Sequence, residues 1–335
     1  MKKDKVFLFI VVLLVIVIGV LVGKRYWKND TPEERIIAKD NVAPIITLNE
    51  DVPQIIVKGT NFKTVATAND DVDGDITEKI EVENVDTSIM GEQEVLIKVS
   101  DKAGNTSEKK QKIIVREELT SGLPVLMYHF FYDDVKYFKQ DNNWLKIEDF
   151  EKQLAYLSEN SFYFPSWEEV EEYLDGKIKL PSKSVVLTCD DGDDSFFDLA
   201  VPVMEKYKVP VTSFVVTDWY GHRYNPDLKY VVWESHSANM HQSGGNGKGR
   251  MVNWTKAQIV EDLRKSSNVL GGATVFCYPF GHYNDTAIEA LKEADYNLAF
   301  TVEGGRIKPG MNKYLLPRVR VAAGNSLEYF KKNVN

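Results

Sequence analysis

Ser184-Val-Val-Leu-Thr-Cys-Asp-Asp-Gly192 is an apolar run that stops on two adjacent carboxylates. Val185, Val186 and Leu187 read as a buried strand, and Gly192 supplies the turn that ends it. Neighbouring carboxylates do not both ionise at low cost without a cation or a shared proton. Asp190 and Asp191 at a strand's C-terminal end therefore point to metal chemistry. An ordinary solvated Asp-Asp-Gly turn is the alternative, and the surrounding chain has to decide.

On either side, strand and helix patterns alternate. Leu123-Pro-Val-Leu-Met-Tyr128 is an apolar strand, and Trp144 to Asn160 has helical spacing with Phe150, Leu154 and Leu157 on one face. After the strand at Ser184 come a helix from about Ser195 to Tyr207, the strand Val211–Val216, a helix from Thr255 to Leu270 and the strand Thr274–Cys277. A helix from Asp285 to Ala294 and the strand Leu298–Thr301 close the series. Repeated βα units imply a parallel sheet, open or closed into a barrel, with its site at the C-terminal strand ends. Asp190, Asp191, His129 and the turn Tyr278-Pro-Phe-Gly281 all fall there.

Two more clusters carry chemistry. Trp233-Glu-Ser-His-Ser-Ala-Asn-Met-His241 brings two histidines close together, and with an aspartate they can complete an open three-ligand site. Residues five apart lie about 140° apart on a regular helix, so His236 and His241 need a loop, a cap or a π-bulge between them to share a metal. Phe276-Cys-Tyr-Pro-Phe-Gly-His282 ends a strand in a turn that can aim backbone N–H groups at an oxyanion. Surface histidines on a Gly-rich loop and a plain strand-ending turn are the respective alternatives.

Residues 44–116 have a different character. Short alternating runs such as Gln54-Ile-Ile-Val-Lys58 and Glu94-Val-Leu-Ile-Lys-Val99 are separated by the turn clusters Asp70-Asp-Val-Asp-Gly-Asp75 and Asp101-Lys-Ala-Gly-Asn105. This is the pattern of a small all-β sandwich. The aspartate cluster is expected to be a solvated turn: Gly74 is fourth counted from Asp71, whereas an EF-hand loop needs glycine sixth.

Upstream, Val6 to Val22 is an unbroken run of 17 apolar or Gly residues, at the short end of a membrane span. No Ala-x-Ala cleavage pattern follows it, so an uncleaved anchor is expected over residues 1–28, with a cleaved signal peptide as the alternative. Lys2, Lys3 and Lys5 nearly balance Lys24, Arg25 and Lys28, so flanking charge barely selects an orientation. Residues 29–43 read as a linker. The formal net charge of -9 argues against nucleic acid as a partner. The two cysteines, Cys189 and Cys277, have no metal-type spacing, and buried free thiols are expected rather than a disulfide.

In combination the clusters resemble a known family. Residues 123 to about 323 resemble the polysaccharide deacetylases of carbohydrate esterase family 4. Thr188-Cys-Asp-Asp-Gly192 is similar to that family's Thr-Phe-Asp-Asp-Gly motif, and His236-Ser to His241 to its His-Ser/Thr…His motif. The five-residue histidine spacing, Leu123-Pro-Val-Leu-Met-Tyr-His129 and Tyr278-Pro-Phe-Gly281 resemble the poly-N-acetylglucosamine deacetylase branch. Residues 44–115 resemble a bacterial immunoglobulin-like surface domain.

These resemblances imply an immunoglobulin-like sandwich followed by a distorted (β/α) barrel in residues 117–335. The implied activity is metal-dependent removal of N-acetyl groups from a glycan, poly-N-acetylglucosamine or peptidoglycan. By position Asp191, His236 and His241 would hold one divalent ion, zinc first and cobalt, nickel or manganese as alternatives. Asp190 would be the general base, and Tyr278, Pro279, Phe280 and Gly281 the oxyanion and substrate loop. The family's late Leu-x-His motif is absent, since the tail reads Tyr314-Leu-Leu-Pro-Arg-Val-Arg-Val321. The branch's assignment of the acid to its early histidine falls here on His129. An arginine usually orients the base from just before the Pro motif; Arg318 or Arg320 is the expected replacement. Asp193 and Asp194 are open as stray ligands or a helix cap. His282 competes as a ligand or substrate contact. The tryptophans are expected mostly in the core, with one or two free to stack on sugar. With the anchor, this implies a single-pass cell-membrane protein whose catalytic domain is extracellular. A binding protein that has lost activity and a metal-dependent O-acetyl esterase are the rival readings.

Overall fold

The structure is a computed structural model and describes residues 40–48 and 54–335. The expected anchor and most of the expected linker lie outside the described residues. Among the described residues no helix is long and apolar enough to cross a membrane. The chain divides into two compact units, one including residues 40–47, 66–81 and 97–109, the other residues 54–65, 82–96 and 110–335.

The N-terminal strands are β1 (Ile45–Thr47), β2 (Gln54–Val57), β3 (Thr67–Asp70), β4 (Gly74–Asp75), β5 (Glu81–Glu83), β6 (Gly91–Ser100) and β7 (Thr106–Arg116). β1, β3 and β4 form an antiparallel sheet, and β2, β7, β6 and β5 lie in that order in a second. Alternation shows along β6, where Val95, Ile97 and Val99 are buried and the residues between them are more exposed. That period of two is what a strand with one buried face requires.

The C-terminal unit is built round a closed barrel of seven parallel strands. They are β8 (Val125–Tyr128), β11 (Val186–Cys189), β12 (Val211–Val215), β13 (Val231–Ser235), β14 (Val275–Cys277), β15 (Leu298–Gly304) and β16 (Leu316–Arg320). β9 (Phe130–Tyr132) and β10 (Trp144–Lys146) pair outside it. The helices are α1 (Ile147–Glu159), α2 (Trp167–Leu174), α3 (Val201–Tyr207), α4 (Thr217–Tyr220), α5 (Lys256–Val269), α6 (Asp285–Glu293) and α7 (Leu327–Val334). β8, β11 and β12 are buried along their whole length, as strands enclosed by helices must be. Phe214 and Phe300 meet in one buried core cluster, with the partly buried Trp167 of α2 against Phe300 at 5.2 Å between ring centroids. Each such buried aromatic contributes on the order of 2–3 kcal/mol.

Local signals set the helix starts. Ser166 and Glu169 form a capping box at α2, and Thr255 and Gln258 another at α5, each worth about 1 kcal/mol. The helix expected from Trp144 begins only at Ile147, because Trp144–Lys146 pairs in parallel with β9. The series does not close at β15: β16 follows and seals the barrel against β8. β13 and α2 also lie outside the expected elements. Cys189 and Cys277 are both buried free thiols.

Candidate active site

The ends of β8, β11, β13 and β14, together with β16, place His129, the Asp190–Asp191 pair, His236, the Tyr278–Gly281 turn and Arg318 at one mouth of the barrel. The two aspartates leave β11 in opposite roles because Asp191 takes a left-handed backbone (φ 73°), followed by Gly192 at φ 73°. A Cβ at Gly192 would lie 3.0 Å from Val215 Cγ1, so glycine there satisfies both the turn and the close approach to β12.

Asp190 points into the barrel and is buried. Arg318 Nη1 donates to its Oδ1 at 2.6 Å and Nη2 to its Oδ2 at 2.7 Å. Arg318 also donates to Thr301 O (3.1 Å) and Thr188 Oγ1 (3.0 Å) and stacks over the Phe214 ring. Burial pushes the Asp190 carboxyl up, but the guanidinium outweighs it and holds the group well below the usual carboxylate range. The Cys277 thiol lies 3.4 Å from Asp190 Oδ2 and 2.9 Å from Arg318 Nη2. His129 Nε2 stands 3.9 Å from Asp190 Oδ2, on the solvent side of the pair.

Asp191 faces the other way, towards two imidazoles. Its Oδ1 is 3.5 Å from His236 Nε2 and 3.3 Å from His241 Nε2. That oxygen is buried and has no hydrogen-bond partner. Burial raises the carboxyl to about 6. It lowers His236 to about 3 and His241 below its ordinary value. His236 Nδ1 bonds Cys277 O at 2.7 Å, which turns the Nε2 lone pair to the cluster. One ligand atom from each of the three residues lies within 4.8 Å of the others. Two neutral imidazoles around an orphaned buried carboxylate oxygen are a donor set that fits a divalent transition metal with an open position.

The five-residue histidine spacing is accommodated by a loop. His236 sits just after β13, Ser237 turns through φ 81°, and Asp262 on α5 clamps the turn. Its two carboxylate oxygens accept from Ala238 N and Asn239 N, each at 2.7 Å. Burial pushes Asp262 up to about 6 against the pull of those N–H groups. The His241 ring then rests between Phe280 (4.2 Å between centroids) and the edge of Trp219 (5.3 Å). Trp219 is 42% exposed and Phe280 46%, so two aromatic faces border the histidine on the open side.

The remaining candidates separate. In the Tyr278–Gly281 turn, Tyr278 and Pro279 are buried, and the Tyr278 hydroxyl donates to Tyr314 O. Phe280 adopts φ 59° and Gly281 φ 70°, where a Cβ would lie 2.4 Å from Val302 Cγ2. The N–H groups of Gly281 and His282 bond Tyr278 O and Pro279 O, which leaves that of Phe280 as the turn's candidate donor. Arg320 bonds Asn143, away from the pair that Arg318 engages. Asp193 accepts from Ser195 N and the Tyr220 hydroxyl, and Asp194 from Arg223. His282 Nδ1 accepts from Gly249 N. The Asp262 clamp, the Cys277 contacts and the rim position of Trp219 carried no motif in the sequence.

Residues 177–299 match the family model for polysaccharide deacetylases. The C-terminal unit carries a polysaccharide deacetylase domain. Residues 46–115 match the model for a bacterial surface protein immunoglobulin-like domain. The deacetylase domain is similar to the poly-β-1,6-N-acetyl-D-glucosamine N-deacetylase of Staphylococcus aureus, 28% identical over 212 residues, covering 58% of this chain and 72% of the relative. Among solved structures, IcaB from Ammonifex degensii superposes at a TM-score of 0.54 with 25% identity, over 64% of this chain and 96% of that one. A polysaccharide deacetylase from Bacillus cereus superposes at 0.55 with 20% identity, over 88% of this chain and 90% of that one, a likeness of fold.

Proposed function

We propose that the chain is a metal-dependent hydrolase that removes N-acetyl groups from N-acetylglucosamine residues of a cell-surface polysaccharide. Poly-N-acetylglucosamine is the leading substrate and peptidoglycan the second. The observation that carries the reading is the division of the aspartate pair. One carboxylate is locked ionised by Arg318, and the other is left with an orphan oxygen between two imidazoles. The name and activity of the Staphylococcus aureus relative support the same reaction.

Asp191, His236 and His241 are the residues that would hold the metal. Zinc is the ion best matched to two imidazoles and one carboxylate, and when bound it supplies Lewis-acid polarisation of the acetamide carbonyl and a lowered pKa for water. Asp190, ionised throughout the neutral range, accepts the proton of the attacking water. Arg318 keeps both carboxylate oxygens oriented during that transfer. The Phe280 N–H faces the carbonyl oxygen as negative charge develops on it. His129 delivers a proton to the sugar nitrogen as the C–N bond breaks, so that acetate and a glycan amine leave. The exposed faces of Trp219 and Phe280 offer stacking surfaces for pyranose rings. The apolar run Val6–Val22 supports a single-pass membrane tether, and a cell-surface polysaccharide as substrate calls for the deacetylase domain outside the cell.

The test is acetate release from poly-N-acetylglucosamine and peptidoglycan by the metal-loaded chain, with metal content measured in parallel. Chelator-sensitive acetate release is expected. No acetate from any N-acetylglucosamine polymer would refute the reading.

A further inference from the structure

The turn expected to be merely solvated contains a second convergence of carboxylates. Asp70, the last residue of β3, is 3% exposed. Its Oδ1 is fully engaged, accepting from Val72 N at 3.0 Å and Asp73 N at 2.8 Å. Its Oδ2 is buried and has no hydrogen-bond partner. The turn itself needs only Oδ1, a task an asparagine performs equally well. A buried carboxylate oxygen with no donor is costly unless a cation faces it.

Asp71 follows on the exposed side, and Asp40 arrives from ahead of β1. One carboxylate oxygen from each of Asp40, Asp70 and Asp71 lies within 4.8 Å of the other two. Oxygens bound to one calcium ion at about 2.4 Å are at most about 4.8 Å apart, and the three carboxylates meet that spacing. The neighbouring lysines are committed elsewhere: Lys79 and Lys102 both pair with Asp73. Asp40 is also held by the next turn, because Asn105 Nδ2 donates to Asp40 O at 3.3 Å and to Asp101 Oδ2 at 2.7 Å.

We infer that Asp40, Asp70 and Asp71 form a calcium site in the immunoglobulin-like domain, separate from the metal cluster of the barrel. All ligands on offer are oxygens, which selects a hard cation over zinc. Asp40 precedes β1 and Asp70–Asp71 end β3, so a bound ion fastens the start of the domain to the β3–β4 turn. The role is structural, and the site takes calcium at the concentrations found outside cells, with a dissociation constant on the order of 10⁻⁴ M.

Calcium chloride titrated calorimetrically into the full chain tests this, with Asp71→Asn, Asp40→Asn and His241→Ala alongside the wild type. Asp71 is exposed and Asp40 half-buried, so their substitution leaves the core intact. The wild type and His241→Ala are expected to bind calcium equally, and Asp71→Asn and Asp40→Asn at least about ten-fold more weakly, since ligand charge sets affinity. No calcium binding by the wild type at millimolar concentration overturns the site. So does binding that His241→Ala abolishes, or binding that neither aspartate substitution weakens.

Discussion

Arg318 and Asp190 meet through two parallel hydrogen bonds, Nη1 to Oδ1 at 2.6 Å and Nη2 to Oδ2 at 2.7 Å, from strands β16 and β11 that β8 separates in the barrel. Both partners are almost wholly buried. The pair therefore fixes the direction of the carboxylate as well as its charge, and closure of the barrel through β16 is what delivers the arginine.

Arg318→Lys keeps the charge and loses the fork. The expected result is a kcat lower by about 100-fold, or about 2.7 kcal/mol of barrier, with metal content unchanged. The acidic limb of the pH–rate profile should move up, because a weaker partner lets burial raise the Asp190 carboxyl. An unchanged limb would show that Arg318 does not act through the base. Arg318→Ala is the harsher variant, leaving a buried carboxylate unpaired at a cost of about 3–5 kcal/mol of stability.

Base and ligand should separate by metal analysis. Asp190→Asn is expected to retain one equivalent of metal while kcat falls by roughly 10³-fold, the range for a lost general base. His241→Ala removes one of three donors and is expected to lose the metal on dialysis, with activity returning in part at high added zinc. If both variants bind metal normally, Asp191, His236 and His241 are not its ligands.

His129 stands 3.9 Å from the base and, with its side chain 19% exposed, reaches the solvent side of the cleft. His129→Ala should lower kcat by roughly 10²-fold or more for N-acetyl substrates. The loss should be smaller for an activated ester, whose leaving group needs no proton. Equal losses on both would give the histidine a binding role, and no loss on either would exclude it as the acid.

Much of this arrangement was legible in the sequence because chemistry and turn signals coincide there. The Asp-Asp-Gly end of β11 and the Pro-Phe-Gly turn after β14 each break an apolar run at a strand's end, and the histidine pair stands out by its spacing. What stayed hidden has physical reasons. β13 carries Glu234 inside it, a residue tolerated because its carboxylate accepts from Thr274 N and Val275 N of the neighbouring strand. β16 reads Leu-Pro-Arg-Val-Arg and has neither a clean alternation nor an apolar run; its arginine is inside because Asp190 is. Alternation could not choose between Arg318 and Arg320, which share one face of β16; depth along the strand does, with Arg318 buried mid-strand and Arg320 exposed at its end. The Asp40–Asp70–Asp71 convergence joins residues some 30 positions apart through the pairing of β1 with β3, and spacing within the turn alone did not reveal it.

Asp262 gives the last prediction, because it links the histidine loop to pH. Its ordinary value is 3.8, raised to about 6 by burial despite two backbone donors. The folded pKa lies above the unfolded one, so the unfolded chain ionises first as pH rises. The contribution to stability is therefore greatest below about 3.8, declines as pH climbs to about 6 and is constant beyond. Asp262→Asn removes that decline. It also keeps only one acceptor for Ala238 N and Asn239 N, a loss of about 1.5–3 kcal/mol where the wild type is ionised. A loop held by one bond in place of two orients His236 and His241 less firmly, and metal affinity should fall by roughly 10- to 100-fold, as for other residues that support ligands. Urea unfolding of the metal-free chain near pH 4 and near pH 7 checks the first part and zinc titration the second. The variant should lose less stability between the two pH values than the wild type. An identical drop in both proteins, with unchanged zinc affinity, would mean that Asp262 neither titrates in this range nor holds the loop.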